Sequence, residues 1–336
     1  MRLSRPACEE MVTTVDMSDL TCWVVTDGKA GMEVQCLGLA EALGCTPQIK
    51  RIMTRGPWRW LPPPLWFNAL AAQKPRGDVL APPWPDLMIA TGRQTVALTI
   101  AVRRASAGQT FTVQIQNPKV DPAKFDLVVV PAHDRLSGAN VLVTTGSIHR
   151  VTRARLDHEA KKFHDRLAHL PRPLVAVLIG GSNGHYDLTP GVARKLGRDL
   201  AILARQGHGL AITPSRRTGA DNIAALRDGL GDASAAIWDF TGDNPYFGYL
   251  GLADAVVATC DSVNMVSEAL ATGKPVHVVD LPSRRSGKFA DFHAGLRAAG
   301  LTRPFQGRIE NWTYAPPDDT ARVATEIKRR IATRIA

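Results

Sequence analysis

Long hydrophobic runs are scarce in this sequence of 336 residues. The apolar stretches 127–130 and Leu174–Ile179 end far short of the roughly 18–20 residues that a membrane-spanning helix needs. Glu9, Glu10, Asp16 and Asp19 interrupt the first twenty positions, which therefore do not read as a secretory signal. The cysteines, Cys8, Cys22, Cys36, Cys45 and Cys260, are odd in number and show no CxxC spacing. A disulfide frame or zinc site is thus not expected, and reduced thiols in a cytoplasmic protein are. Cys22 and Cys260 fall in strand-like segments and read as small buried hydrophobes. There is no GxGxxG fingerprint, no P-loop lysine followed by Ser or Thr, and no DxD with supporting ligands. Neither a bound cofactor nor a metal is expected. Aromatics make up 6% of the chain and few lie beside basic groups, so nucleic acid is not the expected partner.

A surplus of positive charge is present: Lys+Arg 41 against Asp+Glu 31, a net +10. Taken alone it suggests an anionic partner, whether nucleic acid, a phosphorylated small molecule or a membrane surface, without choosing among them. With 45% hydrophobic and 21% charged residues the composition is globular. At roughly 100–200 residues per domain the length implies two domains.

After a flexible tail over 1–19, short apolar runs alternate with helix-length segments. Strands are expected at 21–26, 48–53, 87–90, Phe111–Ile115, 127–130 and Val141–Thr144, with helices at 33–43 and 94–104. A Trp/Pro-rich insert over 54–85 should mix extended chain with a short helix near 65–73. A second series follows the basic, helix-like stretch 152–170. Its expected strands are Leu174–Ile179, 210–213, 235–238, Ala255–Thr259 and Val276–Val279, with helices at 189–206, Ala220–Leu230, 263–272 and 288–299. An amphipathic closing helix, carrying Val323, Ile327, Ile331 and Ile335, lies within 316–336. Apolar strands separated by long crossovers call for parallel sheets covered on both faces. The expectation is α/β: two doubly wound parallel-sheet domains, 20–150 and 151–315, with ligands at the carboxyl ends of strands, across one cleft.

The strand-end motifs are the candidate site. Asp27-Gly28-Lys29-Ala30-Gly31, with Gln35 just beyond, forms a glycine-containing turn where free N–H groups could meet an anion. A turn that merely needs glycine is the plainer reading. Gly180-Gly181-Ser182-Asn183-Gly184 suggests a nest of donors for a pyrophosphate. In Ser215-Arg216-Arg217-Thr218, adjacent arginine forks match phosphate oxygens. Asp261-Ser262 reads as a helix cap, with Met265, Ser267 and Glu268 beyond it. Glu268 could accept ribose hydroxyls from a nucleotide or could be a solvated helix residue. In the first half, Gly92-Arg93 and Gln116 are further polar candidates for the acceptor side. Asp27, His133 and Asp134 are candidate bases.

Several segments resemble, in order, the mitochondrial-fission "elongated mitochondria" family of plants and bacteria. They are 23–44, 114–118, 125–138 with its Pro-x-His-Asp, 144–150, 213–218, Asn244-Pro245-Tyr246, 261–275 and Arg303-Pro304-Phe305. The resemblance spans nearly the whole chain from about residue 20. It implies a glycosyltransferase B-like fold with two Rossmann-like domains and a C-terminal helix crossing back. It also adds Asn244 and Tyr246 to the acceptor-side candidates. Ser267-Glu268-Ala269, with Thr272-Gly273-Lys274-Pro275, is similar to the nucleotide-sugar half of the lipid-linked N-acetylglucosaminyltransferases, where this glutamate holds the donor ribose. The histidine of their first loop is missing from 27–32, so no base carries over. The implied function is a metal-independent glycosyltransferase using a nucleotide-diphosphate sugar, a UDP-sugar foremost. Its acceptor would be a membrane lipid at the inner face of the membrane. Epimerisation or hydrolysis of a nucleotide sugar is the first alternative. A non-catalytic membrane adaptor, resembling the plant fission factor, is the second.

Overall fold

The computed structural model describes residues 16–284 and 287–335, so most of the expected tail, Cys8 included, lies outside the described residues. Its last residues, Met17–Asp19, form a 3-10 turn that buries Met17. Packing divides the chain into two compact units. The first comprises Met1–Val129, Gly138–Leu142 and Thr320–Ala336, and the second Val130–Ser137 and Val143–Asp319.

In chain order the first unit contributes β1 (Cys22–Thr26), α1 (Ala30–Leu43), β2 (Pro47–Arg51), α2 (Gly56–Trp60), β3 (Leu87–Thr91), α3 (Arg93–Ala105) and β4 (Phe111–Ile115). Two further strands, β5 (Leu127–Pro131) and β6 (Val141–Thr144), run partly into the second unit's residues. The sheet order is β2-β1-β3-β4-β5-β6. β1 pairs in parallel with both β2 and β3, so the order of strands reverses between β1 and β3. Every residue of β1, β3 and β4 is buried, as strands covered on both faces require. The insert differs from expectation. In place of a helix over 65–73 it forms α2 and two 3-10 turns, Pro63–Leu65 and Ala69–Ala72. Three consecutive prolines supply no amide donors, and Asn68 at φ 42 leaves the right-handed helical region.

The second unit contains α4 (Arg153–Leu167), β7 (Leu174–Ile179), α5 (Pro190–Arg205), β8 (Gly209–Pro214), α6 (Ala220–Leu230), β9 (Ala235–Ile237), α7 (Tyr246–Leu252), β10 (Ala255–Thr259), α8 (Val263–Leu270), β11 (Val276–Val279), α9 (Lys288–Ala298) and β12 (Thr302–Pro304). Its parallel sheet has the order β12-β11-β10-β7-β8-β9. The reversal lies between β7 and β10, the point where doubly wound sheets bind ligands. The final helix, α10 (Asp319–Ile335), follows the second unit but packs with the first. It buries Val323, Ile327 and Ile331, and Arg330 donates to the Asp126 carbonyl at 3.2 Å. The side chain of Ile335 lies outside the described residues.

In the second unit two elements were not expected. β12 is only three residues long and ends in proline, too short for a periodic signal. α7 contains Gly248 and Gly251, poor helix formers. Packing explains them: a Cβ at Gly248 would stand 2.4 Å from the Phe163 ring, and one at Gly251 2.6 Å from the Leu156 carbonyl oxygen, both on α4.

The α5–α6 pair is equally close. A Cβ on Gly197 would lie 2.3 Å from the Leu226 carbonyl oxygen, and one on Gly229 2.2 Å from that of Arg194. Backbone cannot yield as a flexible side chain can, so Gly197→Ala should destabilise by about 1–3 kcal/mol through overpacking. Gly295 lies in α9 with open space around it. Gly295→Ala should stabilise by about 0.5–1 kcal/mol through helix propensity. Urea unfolding of both variants checks the pair; equal effects would contradict the packing argument.

Candidate functional site

The carboxyl ends of β7, β8 and β10 meet around one carboxylate. Asp261, its side chain fully excluded from solvent, accepts from the Gly181 amide at 2.9 Å, the Thr259 hydroxyl at 2.6 Å and the Arg217 guanidinium at 2.8 Å. Arg217 also donates to the Gly181 carbonyl at 3.1 Å. From the turn after β8, Ser215 donates to the Gly180 carbonyl at 2.9 Å and Thr218 to the Ile179 carbonyl at 3.1 Å. The glycine pair is explained by this crowding. A Cβ on Gly180 would fall 2.1 Å from the Asp261 carboxylate, and one on Gly181 2.1 Å from the Arg217 carbonyl oxygen.

This corrects the simple picture of a donor nest. The Gly180 amide is given to Thr259 and the Gly181 amide to Asp261. Ser182 exchanges hydrogen bonds with the Leu188 backbone. Asn183 donates to the Asp261 carbonyl and accepts from the amides of His185 and Tyr186. Those side chains shape the loop. Among the described residues the amides of Ser182 and Gly184 carry no hydrogen bond, and the exposed Arg216 has no partner. These groups, with the half-exposed Arg217, are the donors left for an anion.

Ser262 caps α8, accepting from the Met265 amide, and Met265 is half-buried. Ser267 is occupied structurally: it donates to the Val263 carbonyl and accepts from the Ser147 amide at 2.9 Å. Glu268 is not a solvated helix residue. It is 7% exposed and accepts from the Tyr246 hydroxyl at 2.6 Å. Burial pushes its pKa up to about 7, opposed by the Tyr246 hydrogen bond and the charges of Arg155 and Arg150. Burial and the neighbouring carboxylate push the Tyr246 hydroxyl up as well. Asn244, whose side chain accepts from the Tyr246 amide, and Tyr246 thus stand in the second unit beside Glu268, not with the first-half candidates. Lys274 of the Thr-Gly-Lys-Pro run holds the end of α7, donating to the Leu250 and Gly251 carbonyls at 2.6 and 2.8 Å. Burial lowers its pKa to about 8.

His133 and Asp134 pack with the second unit. Asp134, with 3% of its side chain exposed, pairs with Lys288 at 2.8 Å. The His133 ring lies 5.2 Å from that of Phe292, and burial lowers its pKa. Its Nδ1 is buried without a hydrogen bond.

In the first unit the strand reversal brings Asp27 near Gly92. Asp27 Oδ2 pairs with Lys29 at 2.6 Å, while Oδ1 is buried and unpartnered. Gly92 has φ +99, and a Cβ there would meet Met32 Sδ at 2.8 Å. Gly28 turns the chain at φ +82, and Gly31 is exposed. Gln35 is buried in α1. Gln116, at φ +70, is half-buried, its amide donating to the Val129 carbonyl. Arg93 is turned toward the insert, donating to the carbonyls of Trp60 and Leu61 at 3.1 Å each. Cys22, Cys36, Cys45 and Cys260 are buried free thiols.

Comparison with known proteins gives this arrangement a context. A family model described as mitochondrial fission ELM1 matches residues 30–331. The mitochondrial fission protein ELM1 of Arabidopsis thaliana is 35% identical over 277 residues, 74% of this chain. The match spans 65% of that relative's length. An uncharacterized protein of Rickettsia prowazekii is 25% identical over 284 residues, covering 73% of this chain and 79% of that one. MurG of Acinetobacter baumannii superposes with a TM-score of 0.50 at 15% identity, over 94% of this chain and 93% of that one. A UDP-N-acetylglucosamine 2-epimerase from Rickettsia bellii gives 0.51 at 13% identity, over 94% and 96%. At such identities the likeness is one of fold, and the fold is glycosyltransferase B-like.

Glu268 makes a prediction on stability. Its pKa rises on folding from the ordinary 4.5 to about 7, so the folded chain holds the proton more tightly. That contribution is fully present below the unfolded value and is lost as pH rises through 7, a difference of about 3 kcal/mol. Glu268→Gln should therefore melt above the parent at pH 8, and the gap should close toward pH 5. A gap independent of pH would show that the carboxyl is not held protonated by burial.

Proposed function

From the premise that the chain belongs to the mitochondrial fission ELM1 family, we propose that its second unit binds a nucleotide-diphosphate sugar and that the protein transfers the glycosyl group. One observation supports this most: a buried carboxyl, Glu268, on the helix that begins where β10 ends, beside the strand reversal of a doubly wound sheet. In this reading Glu268 accepts the ribose hydroxyls, and Tyr246 orients it. Arg216, Arg217 and the amides of Ser182 and Gly184 meet the diphosphate. Negative charge grows on that leaving group in the transition state, so fixed cations there accelerate departure. An acceptor hydroxyl attacks the anomeric carbon, the bond to the diphosphate breaks, and the hydroxyl proton passes to a base. The base is sought between Asp27, whose Oδ1 is buried and unpartnered, and His133, whose Nδ1 is likewise. No metal is needed, and a UDP-sugar is the first donor to try. Epimerisation or hydrolysis would use the same nucleotide groups.

A membrane lipid acceptor, with the protein at the cytoplasmic face, is supported by the insert. Residues 55–77 contain Arg55, Arg59, Lys74 and Arg76 but no acidic residue. Trp60 is 76% exposed, Phe67 66% and Leu65 59%. Trp58 and Trp66 instead tie the loop internally, donating to the carbonyls of Phe67 and Leu61. Cations around exposed aromatic and aliphatic groups suit an anionic bilayer surface. No helix of the described residues is long and apolar enough to cross a membrane.

Thermal-shift titration with UDP, GDP and CDP and their sugar conjugates tests the first proposal. A ligand at about 100 times its Kd stabilises by about 2.7 kcal/mol, a rise of several degrees. Arg216→Ala and Glu268→Gln should weaken that response, and binding should strengthen from pH 6 to 8 as Glu268 ionises. A flat response to every nucleotide would sink the enzyme reading and leave the adaptor. Of Asp27→Asn and His133→Gln, the variant that retains nucleotide binding and loses transfer identifies the base.

Vesicle sedimentation tests the second. Binding to phosphatidylglycerol vesicles should exceed binding to phosphatidylcholine vesicles, weaken with salt, and fall by about tenfold in Trp60→Ala/Phe67→Ala. Unchanged sedimentation of that variant would remove the insert as the membrane surface.

A further inference from the structure

The opposite, amino-terminal edge of the second sheet carries a cavity of about 730 Å³. It lies between the C-terminal ends of α5 and α6, lined among others by Arg198, Ile202, Arg205, His208, Leu230 and Asp232. Its walls are fixed, because the Gly197 and Gly229 contacts clamp the two helix backbones together. β8 begins beside this cavity and ends at the Ser215–Thr218 turn. Six residues at about 3.3 Å each put roughly 20 Å of strand between the two ends. The cavity is thus separate from the nucleotide groups proposed above.

Its charges are unspent. Arg198, Ile202 and Arg205 follow at i, i+4 and i+7 and so share one face of α5. Earlier on the same helix Arg194 pairs with Asp228 at 2.6 Å and Lys195 with Asp199 at 2.7 Å. Among the described residues neither Arg198 nor Arg205 has an ion-pair or hydrogen-bond partner. His208 Nδ1 is buried, also without one. Ile202 between the two arginines is 42% exposed, a large apolar side chain at the cavity's edge. Asp232 is the acid among the lining residues. Two free guanidiniums, an unpartnered imidazole nitrogen and an uncovered aliphatic group ask for complementary features in a single ligand.

We propose that this cavity is a second binding site, for a small anionic molecule with an apolar body, the anion held by Arg198 and Arg205 and the body covering Ile202. The volume lies within the roughly 300–1,000 Å³ of small-molecule sites. The site is independent of the sugar-transfer reading and stands if that fails.

The probe is 8-anilinonaphthalene-1-sulfonate, an anion with an aromatic body, titrated by fluorescence into the full chain. Its uncharged relative N-phenyl-1-naphthylamine isolates the role of charge. Saturable binding of the sulfonate should weaken at least about tenfold in Arg198→Ala/Arg205→Ala, with the neutral probe unaffected. Ser234→Trp should block both probes by filling the cavity while leaving both arginines in place. Circular dichroism establishes that each variant is folded. Sulfonate affinity within twofold of the parent in both folded variants would overturn the proposal. So would loss of all saturable binding in Trp60→Ala/Phe67→Ala, which would place the probe on the insert.

Discussion

One buried carboxylate organises the strand-end loops of the second unit. Asp261 has no exposed side-chain surface, and a charge so placed is tolerated only when paired and hydrogen-bonded. Its donors come from three strand ends: Gly181 after β7, Arg217 after β8 and Thr259 at the end of β10. β7 and β10 are the pair across which strand order reverses, so the contact closes the seam that the topology leaves open. Removing a donor of this set leaves the buried Asp261 carboxylate short of a partner, which destabilises the fold. The glycines are a consequence. Gly180 and Gly181 lack side chains because the carboxylate and the Arg217 backbone already fill the space.

That arrangement changes what the glycine-rich loop contributes to chemistry. A loop whose first two amides are spent on the Thr259 hydroxyl and the Asp261 carboxylate is pre-organised and cannot collapse onto a ligand with those same donors. The donors that remain for the proposed diphosphate are at its margin: Arg216, the outward part of Arg217, and the amides of Ser182 and Gly184. Arg217 serves both sides, since a guanidinium has five N–H donors and its contacts with Asp261 and the Gly181 carbonyl leave others available. Arg216 and Arg217 are therefore neighbours with different work, one locked into the fold and one free.

The sequence carried some of this and not the rest. Strands such as Leu174–Ile179 and Ala255–Thr259 were legible because parallel strands buried on both faces are continuously apolar, and the structure has them with those bounds. The closing helix was legible from its four-residue apolar repeat. α7 was not, because its glycines contradict helix propensity and are explained only by the proximity of α4. The partners of Glu268 and Asp134 were hidden for a related reason. Tyr246 lies 22 positions from Glu268, and Lys288 lies 154 from Asp134, and such pairings follow from topology, not local pattern. Gly180-Gly181 was visible as a motif, but its physical cause was not, since it depends on a side chain 80 residues away.

Glu268 shows how stability and function pull apart. A carboxyl buried in α8 is poorly solvated, and even with the Tyr246 hydroxyl and two arginines nearby its pKa stays near 7. A glutamine would keep a hydrogen-bond acceptor for Tyr246 without the cost of a buried charge. Packing alone therefore gives no reason to prefer glutamate. A ligand presenting two adjacent hydroxyls changes the balance, because charge-assisted hydrogen bonds are roughly twice as strong as neutral ones. In that bound state the carboxylate gains the donors its apolar surroundings withhold. In the proposed function, the poorly solvated carboxyl of the free protein and its grip on ribose are then two sides of one placement.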